Sequence, residues 1–477
     1  MRNLSLLTDL YELTMMYGYY KSGMAKREAV FDVFFRPMSD MNYAVACGLE
    51  QAIDYLMNIH FDDEDIKYLR DLSLFDEEFL DMLKNYKFSG DLYAIPEGTV
   101  VFANEPLLTV KTNLFEAQLI ETALLNIINH QTLIATKSTR IVYASQGKPV
   151  MEFGLRRAQG PDAGIYGARA AMIAGCCGTS NVLAGQIFDV PVLGTHAHSW
   201  VMSFPDELTA FREYARLYPD ACTLLVDTYD TLKCGIPNAI KVFSELRASG
   251  HTPKGIRIDS GDLAYLTKKA RKMLDEAGFP EVKICVSGDI DENVMTSLAI
   301  QGAKIDSYGI GTKLITSHSH PSLGGVYKLV AIDEGEDKLT PKIKVSNTTE
   351  KITNPGFKKV MRIYVDGHAE ADLVCLKDEQ FDNTKPLTVF HPVETWKKMT
   401  FTNYEIKEIT TKIIDGGKLV YDFPTVKELI TRAKKSFDEF WEEYKRIVNP
   451  HVYKVDLSDK LYELKKKLLS EAQNGQN

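Results

Sequence analysis

Two adjacent arginines follow a glycine turn in the segment Phe153-Gly154-Leu155-Arg156-Arg157. The apolar run that ends at Phe153 predicts a strand, so the arginines lie in the loop after it. Paired guanidinium groups offer forked donors to a carboxylate or a phosphate. Solvated loop arginines are about as common, so the motif by itself does not decide between a site and a surface. The pair is a candidate anion site.

His196 and His198 are separated by one residue in a loop after a short apolar run. In an extended segment their side chains point to the same side. One interpretation is a metal-dependent amidohydrolase, in which His-x-His ends the first strand of a barrel. That site needs histidines at later strand ends, where this sequence has aspartate or glycine. The sequence favours one histidine acting as a nucleophile or phosphoryl carrier.

Three acidic loops follow along the chain, with Asp227, Asp259 and Asp289 each placed just past a predicted buried strand. Carboxylates at strand ends can hold ribose hydroxyls, stabilise a cationic sugar centre, or bind Mg²⁺ that carries a polyphosphate. A single aspartate after a strand more often caps a helix. Three in succession at one predicted sheet edge favour a site, although capping and binding can coexist.

Gly309, Gly311, Thr312 and Lys313 form a glycine-rich turn after a late strand. Exposed backbone N–H groups, a hydroxyl and a positive charge are typical of a phosphate cradle. Its place near the last strands of a barrel strengthens that interpretation. The four motifs together predict an enzyme that acts on a phosphorylated sugar and an anionic small molecule.

The elements that position these residues alternate between strand and helix. From 149 to 332, short β-branched runs recur roughly every 20 to 35 residues with helical patterns between them. This rhythm predicts parallel βαβ units and an α/β fold. We favour a closed β/α barrel over an open doubly wound sheet, because polar residues follow nearly every strand and a barrel brings those ends to one face.

Two further regions flank the predicted barrel domain. Residues 1–148 are predicted to form an α+β domain, with a helical opening at 8–20, a strand at 29–35 and a helix at 114–129. Residues 333–477 form a mixed region of strands followed by helices. A capping box at Thr425 and Glu428 begins the best of these helices, and apolar residues at helical spacing continue to Tyr444.

The composition excludes several classes of protein. The 477 residues include 65 acidic and 56 basic side chains, a formal charge of −9, so no global positive field attracts nucleic acid. Seven cysteines, an odd number without a CxxC pair, are typical of reduced thiols. No stretch is as long as the run of about 18 apolar residues that a membrane span needs. Asp9 and Glu12 interrupt the apolar run that a signal peptide would need. We expect a cytoplasmic protein with neither a nucleic-acid nor a membrane partner.

Five motifs in order resemble those of the nicotinate phosphoribosyltransferase family. They lie at 7–15, 152–162, 194–199, 257–262 and 309–312, with a weaker echo at 449–451. The resemblance implies transfer of phosphoribosyl from phosphoribosyl pyrophosphate to the ring nitrogen of nicotinate, with coupled ATP hydrolysis and Mg²⁺, in NAD biosynthesis. It also implies an irregular β/α barrel beside an α/β sandwich, built by the N-terminal region with C-terminal contributions, and a homodimer with shared active sites.

The resemblance also implies how nicotinate binds. Tyr11, reaching over from the partner subunit, and Phe153 would sandwich the pyridine ring. Arg257 would bind nicotinate, Arg156 would lie near the ring, and Thr195 would line the pocket.

By the same resemblance, another set of residues would bind the sugar phosphate. Asp259 and Asp289 would face the ribose and the forming oxocarbenium ion, and Gly288 would allow close approach. Gly311 and Thr312 would bind the 5′-phosphate. We expect Mg²⁺ to arrive with pyrophosphate or ATP, near Asp259 or Asp289.

His198 resembles the histidine that ATP phosphorylates in the family, and a role for His196 in the same step stays open. Ser199 lies where the related nicotinamide enzyme carries an acidic residue, so a neutral hydroxyl fits a carboxylate substrate. Three alternatives remain: the nicotinamide-specific relative, quinolinate phosphoribosyltransferase, and a catalytically silent sensor of pyridine nucleotides.

Overall fold

The structure, a computed structural model, describes residues 3–39, 41–335, 338–348 and 351–474. It divides into two compact units: a central unit, Ile134–Pro321, and a flanking unit formed by the described residues on either side. The domain boundaries predicted near 148 and 332 stay predictions, because compactness alone does not show which segments fold independently.

The first part of the flanking unit is rich in helices. Its elements are α1 (Leu10–Lys21), β1 (Glu28–Phe35), β2 (Ala44–Val45), α2 (Leu49–Asn58), α3 (Asp63–Asp71), α4 (Glu77–Lys84), β3 (Asp91–Ala94), β4 (Val100–Val101), β5 (Leu108–Asn113), α5 (Leu114–Leu119) and α6 (Glu121–Ala144), which continues into the central unit. The helix predicted at 114–129 is therefore two helices, with a break at Ile120.

The central unit alternates strand and helix. Its elements after α6 are β6 (Val150–Glu152), the 3₁₀ turn Leu155–Arg157, α7 (Pro161–Ile173), β7 (Gly178–Thr179), α8 (Val182–Phe188), α9 (His198–Met202), α10 (Glu207–Leu217), β8 (Thr223–Leu225), the π turn Thr231–Gly235, α11 (Ile236–Ala248), β9 (Gly255–Ile258), α12 (Leu263–Glu276), β10 (Lys283–Gly288), α13 (Glu292–Ile300), β11 (Ser307–Ile310) and α14 (Thr312–Ile315).

The chain then returns to the flanking unit with strands followed by helices. These are β12 (Gly325–Asp333), β13 (Leu339–Pro341), β14 (Lys358–Val365), β15 (His368–Leu376), β16 (Leu387–Phe390), β17 (Lys398–Phe401), β18 (Glu405–Glu408), β19 (Thr411–Asp415), β20 (Lys418–Leu419), α15 (Val426–Asp438), α16 (Glu442–Lys445), β21 (Lys454–Leu457) and α17 (Asp459–Asn474).

The described strands of the central unit form a parallel sheet in the order β7-β6-β11-β10-β9-β8. Residues such as Ile256, Ile258, Ile284 and Val286 are fully buried, as expected for strands covered by helices on both faces. The α/β class predicted from the sequence is confirmed. Closure of this sheet into a barrel stays a prediction.

The main sheet of the flanking unit joins distant parts of the chain. Its order is β13-β12-β1-β5-β3-β19-β20, so strands from the N-terminal and C-terminal regions are hydrogen-bonded neighbours. β12 pairs with β1, and β19 pairs with β3, both in antiparallel orientation. No helix in the described part of the chain is both long and apolar enough to cross a bilayer.

Candidate active site

The predicted site residues of the central unit lie at the carboxyl edge of its parallel sheet. Register pairs Arg257 on β9 with Cys285 on β10, and Gly288 with Ile310 on β11. Ile310 in turn pairs with Glu152 on β6. Because parallel strands end at the same edge, the loops after β6, β8, β9, β10 and β11 emerge side by side.

Arg257 makes three side-chain hydrogen bonds at this edge. Its Nε donates to Ser287 Oγ at 2.7 Å, Nη1 donates to Thr195 Oγ1 at 3.0 Å, and Nη2 donates to Asp259 Oδ1 at 2.7 Å. The guanidinium carbon lies 5.6 Å from the centre of the Phe153 ring. A guanidinium has five N–H donors, so two remain for a ligand. The structure thus brings four sequence-predicted or neighbouring site residues around one fixed cation.

Phe153 follows β6, and its backbone N–H donates to the Ile310 carbonyl at 2.8 Å. A Cβ at Gly309 would lie 2.5 Å from the Phe153 ring, so only glycine allows the ring to lie there. Arg156 is exposed in the 3₁₀ turn directly after this strand end. The neighbouring strands therefore hold the ring, whereas Arg156 extends toward solvent.

His198 begins α9 and points toward two carboxylates. Its Nδ1 lies 3.1 Å from Thr228 Oγ1, and its Nε2 lies 4.0 Å from Asp227 Oδ1 and 3.9 Å from Asp259 Oδ2. The side chain is 40% exposed. One ring nitrogen is thus oriented by a hydroxyl, while the other faces the two carboxylates and has no hydrogen bond to any described residue.

His196 is in a different environment from His198. The ring is buried, Nε2 accepts the backbone N–H of Leu225 on β8 at 3.2 Å, and Nδ1 lies 3.4 Å from the Ala197 carbonyl. Because a backbone N–H can only donate, Nε2 is unprotonated. Burial lowers the pKa of His196 to about 4, and the nearby Arg257 acts in the same direction. His196 is a neutral residue that fixes the loop to β8.

Asp259 is held ionised by its neighbours. Burial alone would raise its pKa, but the hydrogen bond from Ser287 and the charge of Arg257 bring that pKa below its usual value. Its backbone N–H donates to Asp227 Oδ2 at 2.8 Å. Asp227 Oδ1 is buried and has no hydrogen-bond partner among the described residues. Two carboxylates and an imidazole therefore share the ends of β8 and β9.

The loop after β10 turns sharply beside Asp259. Gly288 has a φ of +113°, and a Cβ there would lie 2.7 Å from the Asp259 carbonyl. Asp289 follows in an exposed position. Both observations fit the prediction that this loop can approach a ligand closely.

The turn after β11 is equally close-packed. A Cβ at Gly311 would lie 3.0 Å from the Phe153 carbonyl, and Thr312 begins the short helix α14. Lys313 Nζ lies 3.1 Å from His318 Nε2.

Ser199 is exposed on α9, and its carbonyl accepts a hydrogen bond from the Ser203 hydroxyl at 2.5 Å.

Tyr11 belongs to the flanking unit and is 44% exposed on α1. Leu7, Leu10 and Met15 are exposed near it. The following residue, Glu12, is buried and accepts Thr122 N at 2.9 Å and Thr122 Oγ1 at 2.6 Å, which anchors the helix.

The donor set at the sheet edge fits a magnesium ion that is carried by a substrate. The described residues contain no group of three or more His, Cys, Asp or Glu side chains placed to hold a metal. Mg²⁺ often uses one or two carboxylates together with substrate phosphates, and the unpartnered Asp227 Oδ1 beside Asp259 matches that pattern. A His-x-His metal site does not fit, because His196 Nε2 already accepts a backbone N–H.

One residue at the centre of this site, Ser287, was not a candidate from the sequence. Asp227 was predicted from its spacing after a strand as one of three strand-end carboxylates, without a specific role. Ser287 carried no signal, because a serine that precedes a glycine turn is common in any loop.

Comparisons with known proteins cover nearly the whole chain. Models of the nicotinate phosphoribosyltransferase (NAPRTase) family match three stretches: the N-terminal domain at 6–129, the family model at 149–367 and the C-terminal domain at 357–465. Nicotinate phosphoribosyltransferase of Bacillus subtilis (strain 168) is 48% identical over 475 residues, 99% of this chain and 96% of the relative. The Homo sapiens enzyme of that name is 32% identical over 519 residues, 96% and 95% of the two chains.

Solved structures give a consistent result. The crystal structure of human nicotinic acid phosphoribosyltransferase matches with a TM-score of 0.86 at 30% identity and covers 97% of this chain and 99% of that one. Nicotinate-nucleotide pyrophosphorylase from Pyrococcus furiosus matches at 0.69 with 22% identity, over 91% and 95% of the chains, which concerns the fold alone. The resemblance inferred from five short motifs is confirmed, and the chain belongs to the nicotinate phosphoribosyltransferase family.

Proposed function

We propose that the protein transfers the phosphoribosyl group of phosphoribosyl pyrophosphate to the ring nitrogen of nicotinate, a step of NAD biosynthesis. The bond from C1′ to pyrophosphate breaks, a bond from C1′ to the pyridine nitrogen forms, and nicotinate mononucleotide and pyrophosphate leave. The proposal rests on the geometry of Arg257: three hydrogen bonds fix this cation beside the Phe153 ring and leave two N–H donors for a carboxylate.

The proposed nicotinate pocket combines one charged and two aromatic contacts. Arg257 pairs with the carboxylate, and Phe153 stacks on the pyridine ring. Thr195 keeps the guanidinium in place, since its hydroxyl oxygen accepts a hydrogen bond from Arg257 Nη1. Exposed Arg156 adds positive charge near the ring. Tyr11 covers the other face of the ring from a second copy of the chain, a role that its exposure supports.

The proposed sugar-phosphate pocket lies at the ends of β9, β10 and β11. Asp259 is ionised and Asp289 is exposed, so both carboxylates are able to face ribose hydroxyls and positive charge at C1′. The absence of a side chain at Gly288 leaves space beside them. Backbone N–H groups of Gly311 and Thr312, with the Thr312 hydroxyl, bind the 5′-phosphate.

We further propose that ATP phosphorylates His198 at Nε2. Among the described residues that nitrogen has no hydrogen-bond partner, whereas Nδ1 lies against the Thr228 hydroxyl, which orients the ring. His196 is not a candidate because its Nε2 accepts a backbone N–H inside the protein. Asp227 and Asp259 would repel a phosphoryl group on His198 Nε2, and Mg²⁺ held by these carboxylates and the phosphates would offset that repulsion. ADP leaves when His198 is phosphorylated, and water then hydrolyses the phosphohistidine, which releases phosphate and restores the imidazole.

The proposed assembly is a homodimer in the cytoplasm with active sites shared between subunits. The exposed apolar side chains around Tyr11 on α1 support a protein contact there. Nicotinate, phosphoribosyl pyrophosphate, ATP and Mg²⁺ are the proposed ligands. We expect neither nucleic acid nor membrane as a partner.

The test is product formation from phosphoribosyl pyrophosphate with Mg²⁺, with nicotinate, nicotinamide or quinolinate as the acceptor and with or without ATP. We expect nicotinate mononucleotide, formed faster with ATP. Product from nicotinamide in preference to nicotinate would assign the amide-specific reaction instead. Product from quinolinate without any effect of ATP would favour the quinolinate enzyme, and tight binding of pyridine nucleotides without turnover would favour a sensor.

A further inference from the structure

Ser287 lies between the two charged residues on which the proposed reaction depends. It is the residue before Gly288 on β10, and it is only 2% exposed. Arg257 Nε donates to its hydroxyl oxygen at 2.7 Å, and the hydroxyl donates to Asp259 Oδ1. The same carboxylate oxygen accepts Arg257 Nη2. The three side chains form a closed ring of hydrogen bonds.

The direction of each hydrogen bond in this ring is fixed by chemistry. A guanidinium only donates and an ionised carboxylate only accepts, so the hydroxyl must accept from Arg257 and donate to Asp259. Alanine can do neither, and a thiol does both weakly. A hydroxyl at position 287 is therefore the group that links the two charges in one geometry.

We infer that Ser287 is a positioning residue of the proposed transferase. It aligns Arg257, which binds the nicotinate carboxylate, with Asp259, which faces the reacting sugar. Because nicotinate and sugar must meet at one distance and angle, a shift between their two anchors slows the reaction even when each anchor is present. The inference rests on the proposed function and adds to it a residue that touches neither substrate.

The hydroxyl also acts on the charge of Asp259. The groups that face this carboxylate are Arg257 on the same strand, His198 at 3.9 Å, Asp227 at the end of β8, and the Cys285 thiol on β10. Burial raises the pKa of Asp259, and the hydrogen bond from Ser287 is the strongest influence that lowers it. The hydroxyl therefore favours the ionised form of Asp259 on which the ring of hydrogen bonds depends.

The experiment compares Ser287→Ala, Ser287→Thr and the control Thr267→Val in the full-length protein. Thr267 is also fully buried, and its hydroxyl donates to the Leu263 carbonyl at 2.6 Å and accepts Lys304 N at 3.2 Å, outside the site. Each variant therefore tests a buried hydroxyl of the central unit. Thermal melting reports the cost to stability, and steady-state kinetics at one pH report kcat and KM for nicotinate separately.

We expect Ser287→Ala to lower kcat/KM for nicotinate about 10- to 100-fold, the effect of one hydrogen bond to a charged group, with most of the loss in kcat because both anchors are still present. Ser287→Thr should restore most of the rate. Thr267→Val should lose stability but keep the wild-type kcat and KM.

Two results would overturn the inference. If Ser287→Ala has the kcat and KM of Thr267→Val in an active enzyme, the hydroxyl serves packing alone. If the threonine variant folds and its kcat is as low as that of the alanine variant, the hydroxyl is not the group that positions the two charges. A wild-type protein that forms no mononucleotide overturns the proposed function itself, and this inference with it.

Discussion

Replacing Arg257 should separate recognition of the nicotinate carboxylate from the rest of the reaction. The side chain is 13% exposed, and three of its five N–H donors already contact Ser287, Thr195 and Asp259. The two remaining donors are the ones available to a substrate carboxylate. An amide substrate lacks the negative charge that such a pair needs, so the effect should differ between nicotinate and nicotinamide.

The size of the effect follows from the hydrogen bonds lost. Each hydrogen bond to a charged group contributes about 1.5–3 kcal/mol, so loss of one should lower kcat/KM about 10- to 100-fold and loss of both up to about 10⁴-fold. Arg257→Ala should approach the larger value. Arg257→Lys should lie between it and the wild type, because one ammonium group keeps the charge but cannot replace the planar fork.

The assay is steady-state kinetics with nicotinate and nicotinamide for the wild type and both variants. Arg212→Ala is the matched control, since Arg212 is half-exposed and pairs with Glu245 at 2.7 Å on neighbouring helices of the same unit. Thermal melting establishes that each variant is folded. An unchanged KM and kcat/KM for nicotinate in folded Arg257→Ala would refute the role assigned to this residue.

Three further predictions concern the neighbouring loops. His198→Ala should abolish ATP hydrolysis and its coupling but leave slow, ATP-independent transfer, measured as ADP and mononucleotide release; retained ATP hydrolysis would contradict the assignment. Gly288→Ala should lower kcat/KM more than 10-fold in steady-state kinetics and destabilise the fold by about 1–2 kcal/mol in a denaturant titration, because an L-residue at φ +113° is strained and its Cβ would meet the Asp259 carbonyl; normal activity would show that close approach is unnecessary. His196 stays neutral to about pH 4 when folded but takes up a proton near pH 6.5 when unfolded, so acidification favours the unfolded chain. In denaturant titrations, the unfolding free energy of the wild type should therefore fall by about 2 kcal/mol more than that of His196→Gln when the pH is lowered from 7 to 5. A difference between the two proteins that does not change with pH would refute the buried neutral state.

The positions of the strand-end carboxylates could be predicted because parallel strands end at one edge. Asp227, Asp259 and Asp289 all follow strands of one sheet, as their spacing indicated. The loops also contain a second aspartate, and Asp262 and Asp291 cap the helices that follow. In each of these two loops, one aspartate caps the helix and another is the site candidate. Spacing alone did not show which aspartate has which role.

The roles of Ser287 and His196 could not be predicted, because each depends on a partner at least 28 residues away in the chain. Ser287 contacts Asp259 and Arg257 across neighbouring strands, and His196 accepts a backbone N–H from β8. Side-chain type gives no information about such pairs. The sequence therefore left the two histidines of the loop unresolved, whereas their burial and hydrogen bonds distinguish them.

The helix predicted after Thr425 from the spacing of apolar residues is longer than the helix in the structure. The capping box at Thr425 and Glu428 is confirmed, but α15 ends at Asp438 rather than continuing to Tyr444. Phe440 is buried against Phe102 and the Arg362 guanidinium, whereas Trp441 is extended and 38% exposed. Long-range packing of Phe440 accompanies the end of the helix, and the periodic pattern carried no information about it.

The central claim is tested most directly by measuring mononucleotide formation from phosphoribosyl pyrophosphate with nicotinate and with nicotinamide, each with and without ATP and Mg²⁺. The account predicts product from nicotinate, stimulated by ATP, and little from nicotinamide. Preferential use of nicotinamide, or no product from either acceptor, would contradict it.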